Sequence, residues 1–157
     1  MSGVPVTVTA VADAPIERAF DVIAPIDLAA IFRGYGPLPG VRGVRDQSGD
    51  WDHVGARRIV ELTDGNEAPE RITEYEPPGY FAYSVGPFTG PMNRVVERAD
   101  GAWWFARATG GTEITWTYTF IPRPRMGLVV RRVVAPLWKA YARRVLSQAL
   151  AVVERSA

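Results

Sequence analysis

Arg58, in GARRIVEL, and Glu70, in PERITEYE, stand on either side of an Asp64-Gly65 pair that reads as a hairpin turn. If Trp116 and Tyr118 in TEITWTYTFIP point inward, strand parity also turns inward Arg58, Val60 and Leu62 on one strand, Glu70 and Ile72 on the next, and Phe81, Tyr83 and Val85 on a third. An arginine and a glutamate then lie near each other on the core side, where a desolvated charge of either sign needs the other as partner. Two roles stay open for the pair: an ion pair that closes the sheet, or a polar anchor for one group of an otherwise apolar ligand. Glu70 becomes a general base if burial raises its pKa.

Tyr83, Tyr118, Trp103 and Trp116 supply apolar walls with polar tips, suited to flat aromatic or steroid-like molecules. Core packing is the alternative for any one of them; four converging on one concave face point to a lined cavity. His53, the only histidine, lies in GDWDHVG beside Trp51 and Asp52, in a loop that can approach the mouth of such a cavity or simply be solvated. With no cysteine, the chain excludes a disulfide scaffold, a thiolate nucleophile and Cys-ligated zinc or iron–sulfur sites. One histidine excludes a two-His metal site within one chain, so no metal site is expected. A Ser/His/Asp triad would have to use Ser2, Ser48, Ser84, Ser147 or Ser156, and no nucleophile-elbow motif surrounds any of them. GYGPLPG and ATGGT lack the GxGxxG and GxxxxGK[ST] spacings, and no cofactor is expected. The run RPRMGLVVRR sets Arg123, Arg125, Arg131 and Arg132 around Met126, Leu128 and Val129. It suits an anionic lipid surface, an acyl carrier protein or an acidic ligand, or is the solvated start of a helix.

The elements that must position these residues follow from patterning. Residues Val4 to Val11 alternate as a half-buried strand, with Val6, Val8 and Ala10 on one face and Thr7 and Thr9 on the other. DAPIERAFDVI predicts a helix with Asp13 as N-cap and Ile16, Phe20 and Ile23 as its apolar face. Asp27 caps a second short helix, LAAIF, stopping at Gly34, and a Gly/Pro-rich loop leads to a strand around Val41 to Arg45. An antiparallel meander follows: ARRIVEL, PERITEYE, YFAYSV, a strand through Val95 and Val96, an Asp100-Gly101 turn, WWFARA, a Gly110-Gly111 turn and TEITWTYTFIP. The segment from about Met126 to Arg155 is a long amphipathic helix, interrupted or kinked near Pro136. Trp138, Tyr141, Ala142, Val145, Leu146, Ala149, Val152 and Val153 form the stripe that lies on the sheet.

Length and composition agree with one α+β domain over residues 1–157: 157 residues, 47% hydrophobic and 22% charged. Eighteen Lys and Arg against 17 Asp and Glu leave a net charge of +1, which speaks against general nucleic-acid binding. No basic n-region precedes the first strand, and GLVVRRVVAPLW falls short of the roughly 20 apolar residues of a membrane span, so stable membrane insertion is not expected. Absence of cysteine fits a reducing cytoplasm.

The element order, with APIERAFDVI, GARRIVELTDG, PERITEYEPPG and WWFARATGGTEITWTYTFIPRP, resembles the START/polyketide-cyclase/birch-pollen-allergen superfamily, and most closely its bacterial polyketide cyclase/dehydrase-like branch. That resemblance implies a helix-grip fold: a curved antiparallel sheet of six to seven strands wrapped around a long C-terminal helix, with two short helices after strand one and a cavity for a hydrophobic small molecule. It also makes the loops 32–40 and 86–92 the pocket rim, with Tyr35 and Phe88 as gates at the mouth that the His53 loop can approach. The expected ligand is cyclic or aromatic, and its binding set is Arg58, Val60, Glu70, Ile72, Phe81, Tyr83, Trp103, Trp116, Tyr118 and Tyr141. Superfamily members also include aromatase/cyclases and chaperone activators. In a polyketide aromatase/cyclase Arg58 would polarise a carbonyl, Glu70 or Tyr83 would move a proton, and an acyl carrier protein would be a candidate partner. In an interaction module of the chaperone-activator type no ligand is needed.

Overall fold

The computed structural model describes residues 3–156; Met1, Ser2 and Ala157, which the expected domain includes, lie outside the described residues. The chain runs β1 (Val4–Ala12), α1 (Ile16–Ile23), α2 (Leu28–Ile31), β2 (Val41–Arg45), β3 (Arg57–Leu62), β4 (Glu67–Glu76), β5 (Tyr80–Val85), a 3-10 turn (Pro91–Arg94), β6 (Val96–Ala108), β7 (Gly111–Pro122), α3 (Gly127–Val129), a π-helical turn (Val130–Val134) and α4 (Ala135–Arg155). Seven strands form one antiparallel sheet in the order β1-β7-β6-β5-β4-β3-β2, so the first strand of the chain pairs with the last. This is the expected α+β helix-grip arrangement. Among the described residues no helix is long and apolar enough to cross a membrane.

Period-two patterning decides which face of the sheet is core. Val4, Val6 and Val8 of β1 and Ile114, Trp116, Tyr118 and Phe120 of β7 are buried on the concave face. On the other face the threonines pair across the strands, Thr7 with Thr117 at 2.8 Å and Thr9 donating to Thr115 at 3.3 Å. The concave face is closed by Ala19, Phe20 and Ile23 of α1 and by Tyr141, Ala142, Val145, Leu146, Ala149 and Val153 of α4. Phe20 meets Tyr75, Phe81 and Phe105 edge-on, with ring centroids 5.5, 5.8 and 5.3 Å away. With α1 and part of α4 filling one end of the trough, the remaining space lies toward β3–β5.

Four local expectations differ from the structure. Asp13 does not cap α1: extended Pro15 occupies the N-cap without a side-chain bond, and Asp13 instead donates its backbone N–H to Glu154 Oε2 at 3.0 Å. Two intervening residues, Ala14 and an extended proline, keep the Asp13 carboxylate from the first-turn amides. Asp27 does cap α2, accepting from Ala29 N at 3.1 Å, but that helix ends at Ile31. Asp100-Gly101 is no turn, because β6 runs unbroken over 13 residues. The interruption of the last helix is the π-helical turn Val130–Val134, while Pro136 sits in the first turn of α4, where its missing N–H breaks no helical bond.

Candidate ligand-binding site

The site starts with register. Arg58 on β3 stands directly opposite Glu70 on β4, and both side chains are buried, 6% and 8% exposed. Arg58 Nε donates to Glu70 Oε1 at 2.8 Å, and Nη2 lies 2.7 Å from the same oxygen in the ion pair. The guanidinium carbon lies 3.8 Å from the ring centroid of buried Trp51, a cation–π contact on the face of the arginine plane.

Next to them lies Tyr83 on β5. Its hydroxyl accepts from Trp116 Nε1 at 3.0 Å and keeps its own proton to donate. Trp116 is held by a stack on Trp103, with centroids 4.8 Å apart, so a buried wall of indoles fixes the phenol. Gly101 on β6 is the register neighbour of both Tyr83 and Tyr118. A Cβ at Gly101 would fall on the Tyr83 ring, so glycine stands there to admit that ring and not to turn the chain.

Arg58, Glu70 and Tyr83 line one side of a cavity of about 260 Å³. Val60, Leu62, Ala68, Phe81, Val85, Trp103, Tyr118 and Phe120 continue it along the sheet, and Val134, Trp138 and Tyr141 close it from the helix. Phe32 and Pro37–Pro39 contribute from the loop after α2, and Phe88, Pro91 and Met92 from the β5–β6 connection. Tyr141 holds the first of these loops in place: its hydroxyl donates to Pro39 O at 2.9 Å and accepts from Gly34 N at 3.0 Å.

The lining is overwhelmingly apolar, and this sets the electrostatics. Burial raises the Glu70 carboxyl above its usual range, with the Arg58 guanidinium only partly opposing it. Tyr83 and Tyr118 are raised as well, chiefly by burial, so both stay neutral hydroxyl donors. For Glu70 the sign of the stability effect follows. A carboxyl whose folded pKa lies above its unfolded value contributes stability that is present in full below the unfolded pKa and is lost as pH rises through the folded one. Urea unfolding of the chain and of Glu70→Gln between about pH 4 and pH 8 should show the parent losing stability relative to the variant as pH rises. The opposite slope would mean that Arg58 outweighs desolvation.

Of the residues expected to form the site, Arg58, Val60, Glu70, Phe81, Tyr83, Trp103, Tyr118, Tyr141 and Phe88 line the cavity. Four do not. Ile72 is on the inward face, but the segment before β3 folds over it, with Gly55 N bonded to Ile72 O and Ile72 N to Ala56 O, and it packs with Trp51 and Ala56. Trp116 is fully covered and supports Tyr83 from behind. Tyr35 bridges Leu38 through the backbone, and its ring lies between Tyr141, stacked at 6.2 Å, and the Arg144 guanidinium at 4.7 Å. His53 is exposed and bonds its sequence neighbour Asp52 at 2.8 Å. Trp51 belongs to the lining without having been expected there, whereas Met92 lines it from the end of the expected rim loop. Trp138, expected only as part of the helix stripe, stacks on Tyr118 at 4.5 Å and lines the cavity too.

Comparison with known proteins places this geometry. A family model described as polyketide cyclase / dehydrase and lipid transport matches residues 4–155. No curated protein matches the chain significantly. Among solved structures, Ara h 8.0201 is similar at 16% identity and TM-score 0.58, over 92% of this chain and 99% of that one. An uncharacterised protein from Bacillus thuringiensis is similar at 15% identity and TM-score 0.65, over 94% of this chain and 99% of that one. Another from Rhizobium leguminosarum is similar at 15% identity and TM-score 0.66, over 98% of this chain and 95% of that one. At these identities the likeness is one of fold.

Proposed function

Since the chain belongs to the polyketide cyclase/dehydrase and lipid transport family, we propose that it binds a hydrophobic, cyclic or aromatic small molecule in the cavity between the curved sheet and the C-terminal helix, with Arg58 and Glu70 meeting the ligand's polar group. The observation that carries this reading is an apolar cavity whose lining includes the buried Arg58–Glu70 ion pair. Desolvating two charges costs free energy that their mutual attraction offsets only with good geometry and further hydrogen bonds, which a ligand's polar group can supply. The anchor is neutral as a pair, so it favours a hydroxyl or keto group and disfavours a carboxylate, which Glu70 would repel. A volume of about 260 Å³, just under the ~300–1,000 Å³ common for small-molecule sites, suits a few rings better than a two-chain lipid.

Native mass spectrometry of the gently purified chain, followed by solvent extraction, tests this. A one-to-one adduct that carries rings and a hydroxyl or keto group is expected, and Leu62→Trp, which fills the cavity from a half-exposed position, should lose it while folding normally. An adduct that survives Leu62→Trp at full occupancy contradicts the reading. So does an apo mass together with no calorimetric binding of 2-naphthol.

A second reading, a polyketide aromatase/cyclase, draws support from the raised pKa of Glu70 beside Arg58 and Tyr83. Arg58 would polarise a carbonyl of the bound chain while Glu70 took the proton from the adjacent carbon. In that case Glu70→Gln keeps ligand binding and abolishes turnover.

A further inference from the structure

The net charge of +1 conceals a separation of charge along the chain. Between Ile114 and Val153 there is no Asp or Glu, and there are seven basic residues: Arg123, Arg125, Arg131, Arg132, Lys139, Arg143 and Arg144. The rest of the chain holds 11 Lys and Arg against all 17 Asp and Glu. Among the described residues none of these seven forms an ion pair.

The same segment carries exposed apolar side chains. Leu128, Val129 and Val133 are 58%, 41% and 59% exposed, interleaved with exposed Arg131 and Arg132. Arg125, at the turn just before them, is held at φ 68°, a conformation that favours glycine or asparagine. This surface also adjoins the cavity mouth. Val134 and Trp138, directly after it, line the cavity. Arg123, directly before it, donates to Asn93 O at 2.8 Å and to Asn93 Oδ1 at 2.6 Å, which ties the start of the helix to the rim turn holding Pro91 and Met92. The rim loops 32–40 and 86–92 likewise contain no acidic residue, and the first carries Arg33. Asp64 is the one acidic rim residue of the lining, and its carboxylate is engaged by Asn66 N and Nδ2, both at 3.0 Å.

We propose that the α3–π-turn segment, with Leu128, Val129 and Val133 set among Arg125, Arg131 and Arg132, docks the cavity mouth reversibly onto an anionic lipid surface. Cations flanking a short apolar patch match a bilayer interface, where the patch enters the headgroup layer and the arginines meet lipid phosphates and carboxylates. An acidic protein partner would use the same charges, but would leave three exposed aliphatic side chains without a stated counterpart. The docking does not depend on what the cavity holds, so its test succeeds or fails independently of the cargo.

The experiment is flotation of the full chain with vesicles of phosphatidylcholine alone or with about one quarter phosphatidylserine. Binding is expected only to the phosphatidylserine vesicles and should fall away between about 0.1 M and 0.5 M salt. Arg131→Gln with Arg132→Gln should weaken partitioning roughly twenty-fold, from about fivefold per arginine. Leu128→Ser with Val133→Ser should also weaken it severalfold. Arg57→Gln with Arg71→Gln, exposed on the opposite face of the sheet, should leave it unchanged. Three results would overturn the proposal: no binding to anionic vesicles, equal loss in the Arg57/Arg71 control, or indifference to the serine substitutions. The last would reduce the segment to a purely electrostatic surface of the kind an acidic protein recognises.

Discussion

Arg58→Met is expected to destabilise the fold by about 3–5 kcal/mol, because it leaves Glu70 buried without its cation and its strongest donors. Arg58 is also the residue Trp51 stacks upon, so the loss includes a cation–π contact and the packing of the arginine stem. Glu70→Leu alone should cost about as much, now stranding the guanidinium. The combined Arg58→Met/Glu70→Leu variant should lie within about 1 kcal/mol of the parent or above it, since a well-packed apolar pair avoids desolvating two ions. Urea unfolding of the four proteins gives the cycle directly. Single substitutions as mild as the double would mean that water already solvates the pair. A stable double variant has a further use: it should fold and yet lose the ligand, which separates the anchor's role in recognition from its role in folding.

Gly101→Ala carries the second large expected effect. The added methyl would overlap the Tyr83 ring, and that ring cannot retreat freely, because its hydroxyl is bonded to Trp116 and the ring stacks on Phe81 at 6.2 Å. Overpacking of this kind costs about 1–3 kcal/mol, and it should drive the phenol into the cavity, weakening ligand binding together with stability. Thermal unfolding of Gly101→Ala, Tyr83→Ala and the double variant checks the cause. Removing the ring relieves the methyl, so the double should fall short of the sum of the singles by more than about 1 kcal/mol. Strict additivity would place the glycine's role elsewhere.

Much of this was readable before any coordinates. The alternation in TEITWTYTFIP specifies a face, and parity carried across the meander puts Arg58 and Glu70 on it together, as their direct register shows. Parity reports the face and not the neighbour, however. Ile72 is inward and buried, yet it lies beneath the segment ending at Ala56, and no period-two pattern reveals that an earlier loop covers it. Trp51 escaped for the same reason, since its burial depends on that loop folding back over β3 and β4. Asp100-Gly101 misled because a glycine needed for a turn and one needed to admit a neighbour's ring are the same letters. Capping shows the limit of local chemistry: Asp27 bonds the amide two residues on, whereas Asp13 stands two residues before the N-cap of α1, and its backbone amide donates to Glu154 of α4.

The pairing of β1 with β7 has a consequence during synthesis. β1 finds its partner only in the last strand of the sheet, Val4 against Phe120, while every other neighbouring pair joins strands consecutive in sequence. On a ribosome adding roughly 5–20 residues per second, β2 through β6 can zip together as they appear, but β1 must wait on the order of 5–20 s for β7. Until then its backbone edge is unpaired and its Val4, Val6 and Val8 face uncovered, open to other strands. Pro5, which offers no amide to an intruding strand, and Thr7 and Thr9 on the outer face make that waiting strand a poorer template for the wrong partner.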